Sequence, residues 1–224
     1  RRGSRVKLTI PRRGPRVELM NMVKDNARQG LEQHNLKRLL TGADDARAAL
    51  NELATVLKLA KPPQRIEGYD ISNIQGQLAV GSMVVFNDGK PDSRHYRRFR
   101  IKTVDGADDF AMMKEIIGRR FNKSRDDTDG KWAALPDLVL IDGGKGQLSA
   151  AVEALIDKDV GDTAIIGLAK EREEIFLPRQ SAPILLDERS PARRLLQRVR
   201  DEAHRFALGY HGHLRQKAAI GSAL

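Results

Sequence analysis

A chain of 224 residues with 40 Lys and Arg against 30 Asp and Glu carries a formal charge of +10 and a sequence pI of about 10.0. That length allows one sizeable core, or a core with a smaller attachment, and the positive excess points to a polyanionic partner, with nucleic acid favoured. The absence of cysteine excludes a disulfide frame and a thiolate zinc site, and neither a bilayer-spanning apolar run nor a basic amphipathic or lipidated segment invites a membrane.

The opening Arg1-Arg2-Gly3-Ser4 is neither a signal peptide nor an initiator Met, so the chain reads as cytoplasmic, or as a fragment of a cytoplasmic protein. Residues 1–16 contain seven basic residues and no acid and read as an arm. Helical spacing of Val17, Leu19, Met20, Val23, Ala27, Leu31 and Leu36 predicts a helix over about 15–40, and Ala46, Leu50, Leu53, Val56 and Leu57 predict a second. Lys61-Pro62-Pro63 stops it. The expected organisation is a basic arm and helical lead-in over 1–63, a main domain over 64–217 and a tail over 218–224.

Three strands follow, at Arg65 to Ile71, Leu78 to Phe86 and His95 to Ile101, with Asn87-Asp88-Gly89-Lys90 as a turn, and consecutive antiparallel pairing is the simplest arrangement. Asp108-Asp109 starts a helix that ends in Arg119-Arg120, which suits the helix dipole at both ends. The Asp126 to Gly130 loop invites a calcium reading. It fails, because Gly130 at the sixth position puts Arg125 first and Pro136 twelfth.

The run Leu138-Val139-Leu140-Ile141 reads as a strand buried on both faces, and it ends abruptly in Asp142-Gly143-Gly144-Lys145 before a helix on Leu148, Ala151, Val152 and Leu155. Another buried strand spans Ala164 to Leu168, and Glu174 to Leu177 is set to pair with Ile184 to Leu186 as a hairpin. Ser190-Pro191 supplies a capping hydroxyl and a first-position proline for a last helix, which Gly209 is expected to end.

In this order, β-β-β-α-β-α-β-α, parallel packing of the first strand beside the fourth would bring Asp70 and Asp142 to one point, and the last helix can add a third ligand. Convergent oxygen ligands with open positions suit a magnesium site that holds a phosphate. This is the plan of the ribonuclease H-like nucleases: an α/β mixed sheet of three antiparallel strands plus parallel strands, flanked by helices, with an N-terminal helical lead-in. From the residues alone, Asp201 and His204 compete as third ligand on the last helix.

Tyr69-Asp70-Ile71-Ser72-Asn73, Tyr96 to Phe99, Asp108 to Met112, Leu140 to Leu148 and Arg200-Asp201-Glu202-Ala203-His204 together resemble the C-terminal endonuclease half of the UvrC family. Its members are the incision subunits of bacterial nucleotide excision repair, and the resemblance runs from about Pro11 to Lys217. It implies a metal-dependent DNA endonuclease that cuts 5′ to a lesion, with catalytic Asp70, Asp142 and His204 holding Mg2+ or Mn2+, and with Asp109 as a further acid tied to the incision, or else a cap at the start of its helix. The implied partners are damaged double-stranded DNA and UvrB, with UvrA upstream. No UvrB-binding segment, GIY-YIG nuclease module or helix-hairpin-helix pair is recognised in the sequence. Candidate contacts to the DNA backbone are Lys145, Arg97, Arg98, Arg100, Lys102, Lys170 and Arg172. A non-catalytic basic nucleic-acid-binding domain of a repair complex is the alternative.

Overall fold

The computed structural model describes residues 17, 20–24, 28, 44–74, 78–104, 106, 108–125, 132–156, 158 and 160–221. Side chains are described for these except at 73, 74, 78, 123–125 and 210–221. Of the expected helix over 15–40, residues 17, 20–24 and 28 are helical. The basic arm, the calcium-like loop and the last three tail residues lie outside the described residues.

The chain divides into two compact units, Arg1–Asp44 and Asp45–Leu224. The second expected helix, α1 (residues 44–56), belongs almost wholly to the larger unit, because Ala49, Leu50, Leu53 and Leu57 join its core. The compact division thus falls ahead of α1, whereas the breaker Lys61-Pro62-Pro63 follows it.

The larger unit is built on β1 (Arg65–Ile74), β2 (Leu78–Asn87), β3 (Lys90–Pro91), β4 (Arg97–Arg100), β5 (Leu138–Asp142), β6 (Ala164–Ala169) and β7 (Glu174–Phe176). Besides α1, its helices are α2 (Asp109–Arg125), α3 (Lys145–Leu155) and α4 (Pro191–Gly221). The strands form one mixed sheet in the order β3-β2-β1-β5-β6-β7, with β4 also on β2. β1 and β2 are antiparallel, while β1, β5 and β6 run parallel in the buried middle. Asp88 and Gly89 both have positive φ, 50° and 71°, the two-residue turn that matches the twist of a hairpin.

Three expectations are corrected. The strand expected at His95 to Ile101 shortens to β4, which pairs antiparallel with Val80 to Met83, and β3, inside the expected turn, is a further piece on the same edge of β2, paired with Phe86 and Asn87. A short 3-10 turn at Ser93–His95 separates them. The expected 174–177 and 184–186 hairpin reduces to a single bridge between Ile175 and Ile184, while the other edge of β7 pairs with β6. Gly209 does not end α4, which continues to Gly221. A mid-helix glycine costs about 1 kcal/mol, too little to stop a helix on its own.

Alternation along the strands sorts the two faces of the sheet. Glu67 and Tyr69 point toward α2, where Arg120 meets Glu67, whereas Gly68 and Asp70 point toward α4. Gly68 is what lets α4 lie so close. A Cβ there would stand 2.5 Å from Val199 Cγ1 and 3.2 Å from Val84 Cγ2. Gly68→Ala is therefore expected to destabilise the domain by about 1–3 kcal/mol, read as a lower denaturation midpoint. An unchanged midpoint would mean that α4 shifts without cost.

Candidate active site

β1 delivers the first acid and β5 the second. The parallel register pairs Tyr69 with Ile141, so the next residues, Asp70 and Asp142, stand side by side on the α4 face. Each is buried, Asp70 4% and Asp142 7% exposed. The glycines after Asp142 keep the turn tight: Gln147 Oε1 occupies the space where a side chain on Gly143 would go, and it accepts the Gly144 N–H at 3.1 Å.

α4 supplies the third group. Ser190 Oγ accepts the Arg193 N–H at 3.0 Å and Glu52 of α1 accepts that of Ala192 at 2.9 Å, so the start of the helix is fixed. Further along, Ser82 on β2 donates to the Ala203 carbonyl at 2.9 Å, locking the turn that carries His204. His204 Nδ1 then lies 3.2 Å from Asp70 Oδ2, which also accepts from Ser72 Oγ at 3.0 Å. An ionised carboxylate only accepts, so this contact puts the proton on Nδ1 and leaves the Nε2 lone pair for a ligand.

One ligand atom each from Asp70, Asp142 and His204 lie within 4.8 Å of one another. Neither oxygen of Asp142 accepts a directed hydrogen bond, although Lys170 Nζ approaches Oδ2 to 3.2 Å. Burial, and then the neighbouring Asp70, raise the Asp142 pKa to about 6, against the opposing pull of Lys170 and Arg200. A cavity of about 340 Å3 opens over this point, lined by Asp142, Lys170, Arg200, Asp201 and His204. The donor set fits a divalent cation: two crowded carboxylates, one short of partners, and an imidazole.

The other sequence candidates scatter. Asp201 turns aside to Arg200, 2.9 Å away, with its side chain 69% exposed. At the start of α2 the capping oxygen is Asp108 Oδ1, which accepts from Phe110 and Ala111, so capping does not account for Asp109. The Phe110 ring lies against Gly146, which places this helix start beside the loop after Asp142. Lys145 donates to the Ser181 carbonyl at 2.6 Å. Arg98 braces α4, its guanidinium 4.0 Å over the Phe206 ring and bonded to the Phe206 carbonyl. Arg97 donates to the carbonyls of Arg94 and Tyr96 and stacks over Trp132. Arg100, Lys102 and Arg172 remain exposed. Sequence reasoning missed Ser72, and it missed Arg200, which Glu173 holds at 2.6 Å on the cavity wall. A hydroxyl two residues beyond Asp70, on the same strand face, was the available signal for Ser72.

Residues 54–208 match the family described as the UvrC RNAse H endonuclease domain. The chain belongs to the UvrC family. Similar full-length UvrC proteins, each named UvrABC system protein C, include that of Dehalococcoides mccartyi, 60% identical over the whole of this chain and 37% of the relative. Another, from Moorella thermoacetica, is 48% identical over the whole chain and 36% of the relative. The chain thus spans a little over a third of the curated UvrC proteins it matches. Solved structures similar to this UvrC domain include human ENDOV, 14% identical over 70% of this chain and 86% of that one, with a TM-score of 0.45. Another is Ciona intestinalis endonuclease V with a 24mer DNA containing an inosine, 19% identical over 49% and 46% of the two chains, with a TM-score of 0.36. Likeness at these scores decides nothing about function. The ribonuclease H-like assignment of this UvrC domain rests on the family match and on its own mixed sheet. No described helix is long and apolar enough to cross a membrane.

Proposed function

We propose that this UvrC domain is a metal-dependent DNA endonuclease that hydrolyses a phosphodiester 5′ to a lesion in nucleotide excision repair, leaving a 5′-phosphate and a 3′-hydroxyl. The observation that carries this reading is Asp142, a buried carboxylate that the ammonium of exposed Lys170 approaches to 3.2 Å and that is crowded against a second acid and an imidazole. Such a carboxylate is costly unless a cation completes it. Asp70, Asp142 and His204 would hold Mg2+ or Mn2+. The bound ion supplies charge that polarises a phosphate and acidifies a water.

The protein's own groups do the rest. Ser72 and His204 fix the Asp70 carboxylate in its rotamer, and Asp70 in turn fixes the imidazole tautomer. Arg200, held by Glu173 and Asp201, keeps positive charge on the wall where a phosphate would enter. Asp109 acts as a supporting acid at the same end of the fold. Exposed Arg100, Lys102 and Arg172 steer the DNA backbone without reading bases, and lesion choice falls to partners, UvrB and UvrA.

The test is a nicking assay on bubble-containing, damaged DNA with Mn2+ or Mg2+ and then with chelator. His204→Ala is expected to slow metal-dependent nicking by about a hundredfold or more, with DNA affinity and melting temperature near those of the parent chain, and Asp201→Asn to do much less. A dead Asp201→Asn beside a fully active His204→Ala would move the third ligand to the carboxylate. Tight binding without nicks under every metal condition would favour the non-catalytic reading.

A further inference from the structure

We propose that Lys170 is the exchangeable counter-ion of the acid pair: its ammonium neutralises Asp142 until a divalent cation arrives, then turns outward to take a phosphate oxygen of the DNA. The inference rests on the metal site proposed above and adds what happens when that site fills.

Position comes first. Asp142 pairs with Leu168, and Lys170 follows two residues later, past the end of β6. Its side chain can therefore fold back over the carboxyl end of β5. The ammonium reaches Oδ2 at 3.2 Å, so an ion pair at its tip holds it there. Its side chain is 62% exposed while that of Asp142 is 2% exposed, so the lysine is tethered at its tip and its stem lies in solvent. Releasing such a contact loses little packing, and it restores rotamer freedom.

Arg200 lines the same cavity but cannot play this part. Its side chain is 13% exposed and is tied to Glu173 at 2.6 Å and to Asp201 at 2.9 Å. A guanidinium clamped in a fork is a fixed wall charge, whereas an ammonium on a four-carbon stem is a mobile point charge. A divalent ion and an ammonium repel at one carboxylate, so ion entry and lysine departure are one event.

Mn2+ affinity, measured calorimetrically at about pH 8, tests the exchange. Lys170→Met is expected to bind Mn2+ about tenfold more tightly than the parent chain, because no resident cation has to leave; Lys170→Arg should stay near the parent, and so should the exposed Arg172→Met. Without metal, Lys170→Met should melt below the parent, and with saturating Mn2+ the two should coincide. DNA binding gives the second arm, with Ca2+ in place of Mn2+ to hold turnover off. The affinity lost on Lys170→Met should be several-fold larger in Ca2+ than in chelator. Unchanged or weaker Mn2+ binding by Lys170→Met overturns the exchange, and equal DNA losses with and without Ca2+ overturn the phosphate contact. A parent chain that binds no Mn2+ overturns the metal site itself.

Discussion

Asp142→Asn should melt about 5–10 °C above the parent chain when both are heated at about pH 7.5 in chelator. The Asp142 carboxyl is pushed up from 3.8 to about 6, first by burial and then by Asp70. A pKa that is higher folded than unfolded stabilises the fold only while the proton is on. That stabilisation is complete below the unfolded value and is lost as pH rises through about 6. At neutral pH the ionised, metal-free acid therefore costs the fold about 3 kcal/mol, and a neutral amide of the same shape removes the cost. Little is screened away, because the residue is only 7% exposed. Near pH 4 the two curves should converge. Mn2+ should raise the melting point of the parent and leave that of Asp142→Asn unmoved. A variant that melts at or below the parent at about pH 7.5 would mean that the ionised, metal-free carboxylate costs the fold nothing.

The second large effect lies on the other face of β1. Glu67 is fully buried and Arg120 is 1% exposed, joined by two bonds of 3.1 and 2.8 Å. Glu67 also accepts from Tyr69 at 2.7 Å and from Arg65 at 2.9 Å, while Arg120 donates to the carbonyls of Trp132 and Ala134. Arg120→Leu would leave a buried carboxylate short of its main partner and two carbonyls short of a donor. A loss of about 3–5 kcal/mol in unfolding free energy by denaturant titration is expected. Glu67→Leu on the same background should recover a substantial part of it, since an apolar pair of similar volume carries no desolvation cost. A single variant within about 1 kcal/mol of the parent would show that Arg65 suffices.

Much of this site was legible because it rests on backbone order. An apolar run ending in Asp-Gly-Gly puts an acid at a strand terminus, and the succession of elements sets β1 beside β5, so Asp70 and Asp142 meet whatever their side chains do. The cap at Ser190 was legible for the same local reason. The long cations were not. Arg98, Lys145 and Lys170 look alike in sequence, yet one stacks on Phe206, one bonds Ser181 and one sits on Asp142. Their ends lie several rotatable bonds from the backbone, and tertiary neighbours decide where they stop. Nor could residues alone choose between Asp201 and His204. In the fold, Arg200 holds Asp201 and His204 lies against Asp70, which favours His204 in the proposed site.

Asp70 and His204 touch across 134 residues of sequence. The consequence is one of timing during protein synthesis. While the ribosome is still making α4, β1 and β5 can already be paired, but the acids lack their imidazole and the face that carries them lacks its cover. A chain halted before His204 should thus be unable to nick nucleic acid, however well its sheet has formed. On the proposed function, the site is complete only once the last long helix is in place, so a chain ended before it is expected to be inert.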